Sequence, residues 1–130
     1  MASEASIANG SGAGAGPTAK FRLARASTPQ GAAEELSEAG SDVVGSNCGI
    51  AIEQMIEIIA AMRTATKKPI ITHVNAGMPR IEGGKIIYPH TPQHMAPLYT
   101  KLVDAGANIV GGCCGTGPAH IRAIVKALKG

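Results

Sequence analysis

From Thr28 onward the apolar positions change period in a regular way, from one face of a helix to a short continuous run and back. Thr28-Pro29 reads as an N-cap followed by proline at the first helical position. Ala32, Ala33, Leu36 and Ala39 give the following helix a modest apolar face, and Gly40 ends it. Asp42 to Cys48, "DVVGSNC", predicts a short buried strand. Ile52, Met55, Ile56, Ile59 and Met62, at three- and four-residue steps, mark one face of a helix over Ile50 to Thr66. Pro69 to Gly77, "PIITHVNAG", predicts a second strand running into a loop. The next segment, "MPRIEGGKIIYPH", has the proline and glycine content of a surface excursion. Thr91-Pro92 opens a further helix with Met95, Leu98, Leu102 and Val103 on one face. Asn108 to Gly112 is a third strand, and a last helix from near Pro118 is expected to bury Ile121, Ile124, Val125 and Leu128.

An internal repeat supports this alternation. "TPQ" occurs at Thr28 and at Thr91, and "EAGSDVVGSNCG" from Glu38 matches "DAGANIVGGCCG" from Asp104 nearly position for position. A period of about 65 residues with one further strand and helix between the copies corresponds to two β/α units. The strands are nearly continuous apolar runs, as parallel strands covered on both faces should be. The fold class is therefore parallel α/β. The repeat aligns Cys48 with Cys114, placing both just past the carboxyl end of a strand, the edge where α/β sheets and barrels build their sites.

Composition changes this picture at one end only. Residues 1–27 are rich in Gly, Ala and Ser without a sustained apolar period. They are expected to be a disordered tail, because they cannot bury enough surface to offset the entropy of ordering. The ordered domain is then 28–130. The net charge of +3 is dispersed, with Lys67-Lys68 the only paired basic residues, so nucleic acid is not an expected partner. No apolar run approaches the roughly 18 residues of a membrane span, so a soluble protein off the membrane is expected. Three cysteines, two of them adjacent, argue against a disulfide framework and for a reducing compartment, by default the cytoplasm.

Those cysteines carry the candidate chemistry. Cys113-Cys114 lie in "GGCCGTG", where flanking glycines permit the turn that lets adjacent side chains aim together. With Cys48, three thiols converge on one rim. Three protein thiolates would hold zinc with the fourth position open, as in catalytic sites. Such an electron-rich site suits keeping a substrate thiol ionised as a nucleophile, and hence alkyl transfer to that thiol. The competing readings are a vicinal disulfide between Cys113 and Cys114 and, for Cys48 alone, a buried small hydrophobe. His73 could line the rim or be structural. His90 and His94 are expected in solvent, and His120 is expected to hydrogen-bond the preceding loop. Gly115-Thr116-Gly117 before a helix could cradle an anion, but the cysteines already explain these glycines.

The segments "VVGSNCG", "NAGMP" and "GANIVGGCCGTGPAHI" resemble the carboxyl-terminal part of the homocysteine-binding domain of methionine synthase and related homocysteine S-methyltransferases. The resemblance runs from about Thr28 to the end of the chain. It implies a (β/α)8 TIM barrel of which this chain holds about three β/α units, corresponding to strands six to eight. It also implies zinc on Cys48, Cys113 and Cys114 that activates homocysteine. Asn47 lies in the first motif. Asn75 is a candidate either for the open zinc position or for contact with substrate. Gly117 departs from the threonine or serine common there, which weakens the N-cap of the last helix.

A whole barrel takes about 250 residues, so the first five strands, with much of the homocysteine pocket, are expected to be absent. The expected reaction is methyl transfer to zinc-bound homocysteine, giving methionine. The donor stays open among corrinoid, folate, betaine and S-methylmethionine, with cobalamin or folate carried by other domains or chains. The alternative is a non-catalytic or truncated zinc-binding fragment, or half of a split barrel completed by a complementary chain or by self-association.

Overall fold

The computed structural model describes residues 4–8 and 28–129, the first of these segments by its backbone alone. Thr28 caps the first long helix as its sequence requires: its Oγ1 accepts the Gly31 N–H at 3.0 Å and Pro29 stands in the first turn. The described elements are β1 (Glu4–Ala8), α1 (Pro29–Glu38), β2 (Val43–Asn47), α2 (Ile52–Ala65), β3 (Ile70–Val74), β4 (Arg80–Glu82), β5 (Lys85–Ile87), α3 (Pro92–Ala105), β6 (Ile109–Gly112) and α4 (Pro118–Lys129). Thr91 repeats the capping device at α3, accepting the His94 N–H at 3.1 Å.

Four strands form one parallel sheet in the order β1-β2-β3-β6. The helices pack in the same succession, α1 on α2, α2 on α3 and α3 on α4, so they cover one face of the sheet. Between them lies the core, which includes Val44, Ile52, Met55, Ile59, Met62, Ile70, Val74, Met95, Tyr99 and Leu102. Along β3, Ile70, Thr72 and Val74 are buried while Ile71 and His73 are only half-buried. Strand residues alternate between faces, so the helix layer seals one face and the other stays partly open. This alternation replaces the expected burial on both faces. Among the described residues no helix is long and apolar enough to cross a membrane.

Three further expectations meet a different structure. The reading of residues 1–27 as a disordered tail gives way at Glu4–Ala8, which pairs in parallel with Val43–Asn47 as an edge strand. The open ladder edge of β2 supplies backbone partners that composition does not register; residues 9–27 lie outside the described residues. The surface excursion contains a hairpin, β4 with β5, in the register Glu82↔Lys85. Its two-residue turn, Gly83-Gly84, has φ of 56° and 78°, the left-handed pair that suits a tight hairpin.

The third difference is at the last helices. Ile124 is buried on α4, but Ile121, Val125 and Leu128 are 44%, 45% and 38% exposed. The helix packs on α3 along one side, and among the described residues nothing covers the other. On α3, Tyr99 takes the buried place expected for Val103, which is 40% exposed. Burial pushes the Tyr99 phenol far above its usual range. The neutral hydroxyl donates to the Gly111 carbonyl at 2.7 Å.

At the amino-terminal edge of the sheet, Arg63 ties the layers together. Its guanidinium donates to the carbonyls of Thr66 (2.8 Å), Lys68 and Gly106 (3.1 Å) and to Asn108 Oδ1 (3.2 Å). Asn108 Oδ1 also accepts the Ile70 N–H at 2.9 Å, linking the starts of β3 and β6. Arg63→Ala should lower the free energy of urea unfolding by about 1–3 kcal/mol. Arg63→Lys should recover little of it, because one ammonium cannot span this fork of acceptors.

Candidate metal and substrate site

The three cysteines are positioned by the carboxyl end of β3. Cys48, one residue past β2, donates its N–H to the His73 carbonyl at 3.1 Å, and Cys113, one residue past β6, donates to the next carbonyl, Val74, at 2.9 Å. The Cys114 carbonyl accepts the Ala76 N–H at 2.9 Å. Each cysteine backbone is thus held by β3 or the loop that continues it. Cys48 has φ of 55°, an uncommon conformation for a residue with a side chain, which costs about 1–3 kcal/mol. Thr116 closes the second turn, its N–H and Oγ1 both donating to the Cys113 carbonyl, at 3.1 and 2.7 Å.

These turns bring the sulfurs together. Strands on either side of β3 would stand about 9.5 Å apart, yet the Cα atoms of Cys48 and Cys113 are 6.4 Å apart. All three Sγ atoms lie within 4.8 Å of one another. Cys48 and Cys113 are joined as a disulfide, while Cys114 is exposed and uncrosslinked, its Sγ 3.8 Å from that of Cys113. The expectation of no disulfide is therefore corrected. The bond also differs from the vicinal pairing considered, joining positions that fold inward over the end of β3 from opposite sides. The donor set fits zinc in its reduced form: two thiolates on a tetrahedral ion with bonds of about 2.3 Å stand about 3.8 Å apart, the spacing of Cys113 and Cys114.

The glycine bed has a local cause. Gly115 has φ of 82°, and a Cβ there would run into the ring of Tyr88, which packs over the cysteine loop. Asn75 follows β3 directly and is 6% exposed, with its Oδ1 buried and without a hydrogen-bond partner. Such an unsatisfied buried acceptor is uncommon in folded proteins. Asn47 ends β2, in register with His73, and the His73 ring lies against Gly111 of β6. His120 makes the expected loop bonds, accepting the Gly117 N–H at 3.2 Å and reaching the His90 carbonyl at 2.9 Å.

His90 and His94 are not simply solvated: their ring centroids are 4.4 Å apart, and His94 Nε2 lies 3.0 Å from Glu53 Oε1. Glu53 and Tyr88 were missed in the sequence. Neither sits in a motif, and only the fold brings them to this rim.

A family model described as homocysteine S-methyltransferase matches residues 16–128. The chain belongs to this family. Among curated relatives, methionine synthase of Mycobacterium tuberculosis (strain ATCC 25618 / H37Rv) is 33% identical over 90 residues, covering 68% of this chain and 8% of its own length. The methionine synthase of Mycobacterium leprae (strain TN) is 32% identical over 90 residues, again 68% and 8%. The chain therefore spans a small part of these relatives. Among solved structures, the homocysteine methyltransferase MmuM from Escherichia coli superposes in its apo form with a TM-score of 0.64 at 22% identity, covering 86% of this chain and 37% of MmuM. Its metallated form gives 0.60 at 24% identity, with 78% and 30% covered. At these identities the structural match speaks for the fold alone, an α/β fold with a parallel sheet.

The geometry of the cysteine loop separates two neighbouring glycines. Gly115→Ala should destabilise the chain by more than about 1 kcal/mol in urea unfolding, from backbone strain and displacement of Tyr88. Gly117→Ala, with nothing within 4 Å of the added Cβ, should cost less, about 0.5–1 kcal/mol, the loss expected when an N-cap glycine becomes alanine.

Proposed function

We propose that this chain forms the zinc-holding section of a homocysteine S-methyltransferase of the methionine synthase type, transferring a methyl group to the homocysteine thiol to give methionine. The observation that carries this reading is the convergence of Cys48, Cys113 and Cys114 within 4.8 Å at the carboxyl end of a parallel sheet. Cys48, Cys113 and Cys114 would be the ligands once the disulfide has taken up two electrons and two protons from a thiol reductant. That requirement suits a reducing compartment such as the cytoplasm. When bound, zinc would keep the homocysteine sulfur ionised at neutral pH while leaving it nucleophilic.

The chain's own residues then orient the substrate. Asn75 offers its unpartnered Oδ1 to the open metal position or to the homocysteine amino group, and Asn47 borders the same rim. Tyr88, with Gly115 beneath it, shields one side of the cysteine loop. The methyl donor is not encoded by these residues, and a corrinoid or folate would come from another domain or chain.

The half-open face of the sheet and the exposed face of α4 favour a second component in this reading. The remaining barrel strands, from the same polypeptide, a complementary chain or a second copy, would close against β6 and α4. Until they do, the section holds metal without a whole substrate pocket.

Zinc competition against a chromophoric chelator tests the reading on the reduced chain. One zinc held tightly on the cysteines is expected. Cys48→Ser, Cys113→Ser and Cys114→Ser should each weaken it by more than the roughly 10–100-fold that losing a supporting group costs. Homocysteine added to the zinc-loaded chain should release one proton per chain. Unchanged zinc affinity in Cys113→Ser would contradict the reading.

A further inference from the structure

We propose that Glu53, His90 and His94 form a second divalent transition-metal site, of the zinc class, separate from the cysteines. Their ligand atoms all lie within 4.8 Å of one another, and two imidazoles with one carboxylate are a donor set that suits such ions. The three residues come from three places in the chain: the first turn of α2, the loop before α3 and the first turn of α3.

The backbones at His90 and His94 are fixed by contacts outside the cluster. The His94 N–H is held by the Thr91 cap at 3.1 Å. The His90 N–H donates to the Ala76 carbonyl at 2.9 Å, and its own carbonyl meets His120 Nε2 at 2.9 Å. Glu53 stands in the first turn of α2, with Oε1 3.0 Å from His94 Nε2.

A surface ion pair between Glu53 and His94 would account for those two residues alone, and such exposed pairs contribute little. It does not account for His90. That ring packs on His94 at a centroid distance of 4.4 Å, and its Nδ1 is buried without a hydrogen-bond partner. Glu53 supplies the carboxylate oxygen of the donor set.

Three protein ligands leave a fourth position for water. An ion there would pin the amino ends of α2 and α3 to the loop that also grips Ala76, the residue after Asn75. It would thereby stiffen the rim on which the cysteines sit.

Equilibrium dialysis of the reduced full chain against Zn2+, read by metal analysis, tests this together with histidine ring signals in NMR. The parent should take up two ions per chain and show shifted His90 and His94 signals. His94→Ala and Glu53→Gln should each lose one ion, or weaken its binding at least tenfold, with circular dichroism unchanged. Cys113→Ser should keep the histidine shifts, so the failure of the cysteine site and of this one are told apart. Unaltered stoichiometry and affinity in His94→Ala, or histidine signals that ignore zinc, would overturn the proposal.

Discussion

The candidate site depends on two successive backbone carbonyls at the end of one strand. His73 and Val74 of β3 accept the N–H groups of Cys48 and Cys113, so a single central strand sets the positions of cysteines that are far apart in sequence. Hydrogen bonds of this kind contribute only about 1 kcal/mol each, but here they are directional. They extend the parallel ladder past the strands on both sides and tilt the two chains inward over β3. The turn at Cys48 and the Thr116 clasp then aim the sulfurs at one point. The rest of the molecule keeps β3 still: the helix layer buries Ile70 and Val74 beneath it, Tyr99 holds the carbonyl of Gly111 on the neighbouring strand, and Arg63 fixes the opposite end.

Much of this was legible in the sequence, for identifiable reasons. The repeated Thr-Pro caps declared both helix starts, because the cap and the first-turn proline act through their immediate neighbours. The strands and the apolar face of α2 followed from periodicity. The cysteines were legible as a group because the repeat placed Cys48 and Cys114 at equivalent strand ends. The likeness to the homocysteine S-methyltransferase family rested on the same segments, and the family match agrees with it.

What escaped depends on contacts made at long range. The β4–β5 hairpin turns on Gly83-Gly84 between two three-residue strands, too short for an alternating pattern to show. Pairing of Glu4–Ala8 with β2 comes from an available sheet edge, which no local pattern encodes. Val103, Ile121, Val125 and Leu128 have helical spacing suited to burial, yet whether they are buried depends on what lies against them. His90 and His94 stand together in the sequence, but Glu53 lies in a separate segment, and only the packing of α2 beside α3 brings it to them. The disulfide escaped for a related reason: composition speaks to the redox setting of a chain, whereas the inward fold over β3 decides which sulfurs can meet.

The central claim is that β3 gathers three thiolates around one zinc and leaves a position for a substrate sulfur. X-ray absorption at the zinc edge tests it most directly, on reduced chain loaded with one equivalent of zinc. The account predicts three sulfur neighbours at about 2.3 Å with one lighter atom, becoming four sulfurs when homocysteine is added. A shell dominated by nitrogen and oxygen, or a sulfur count that homocysteine does not change, would contradict it.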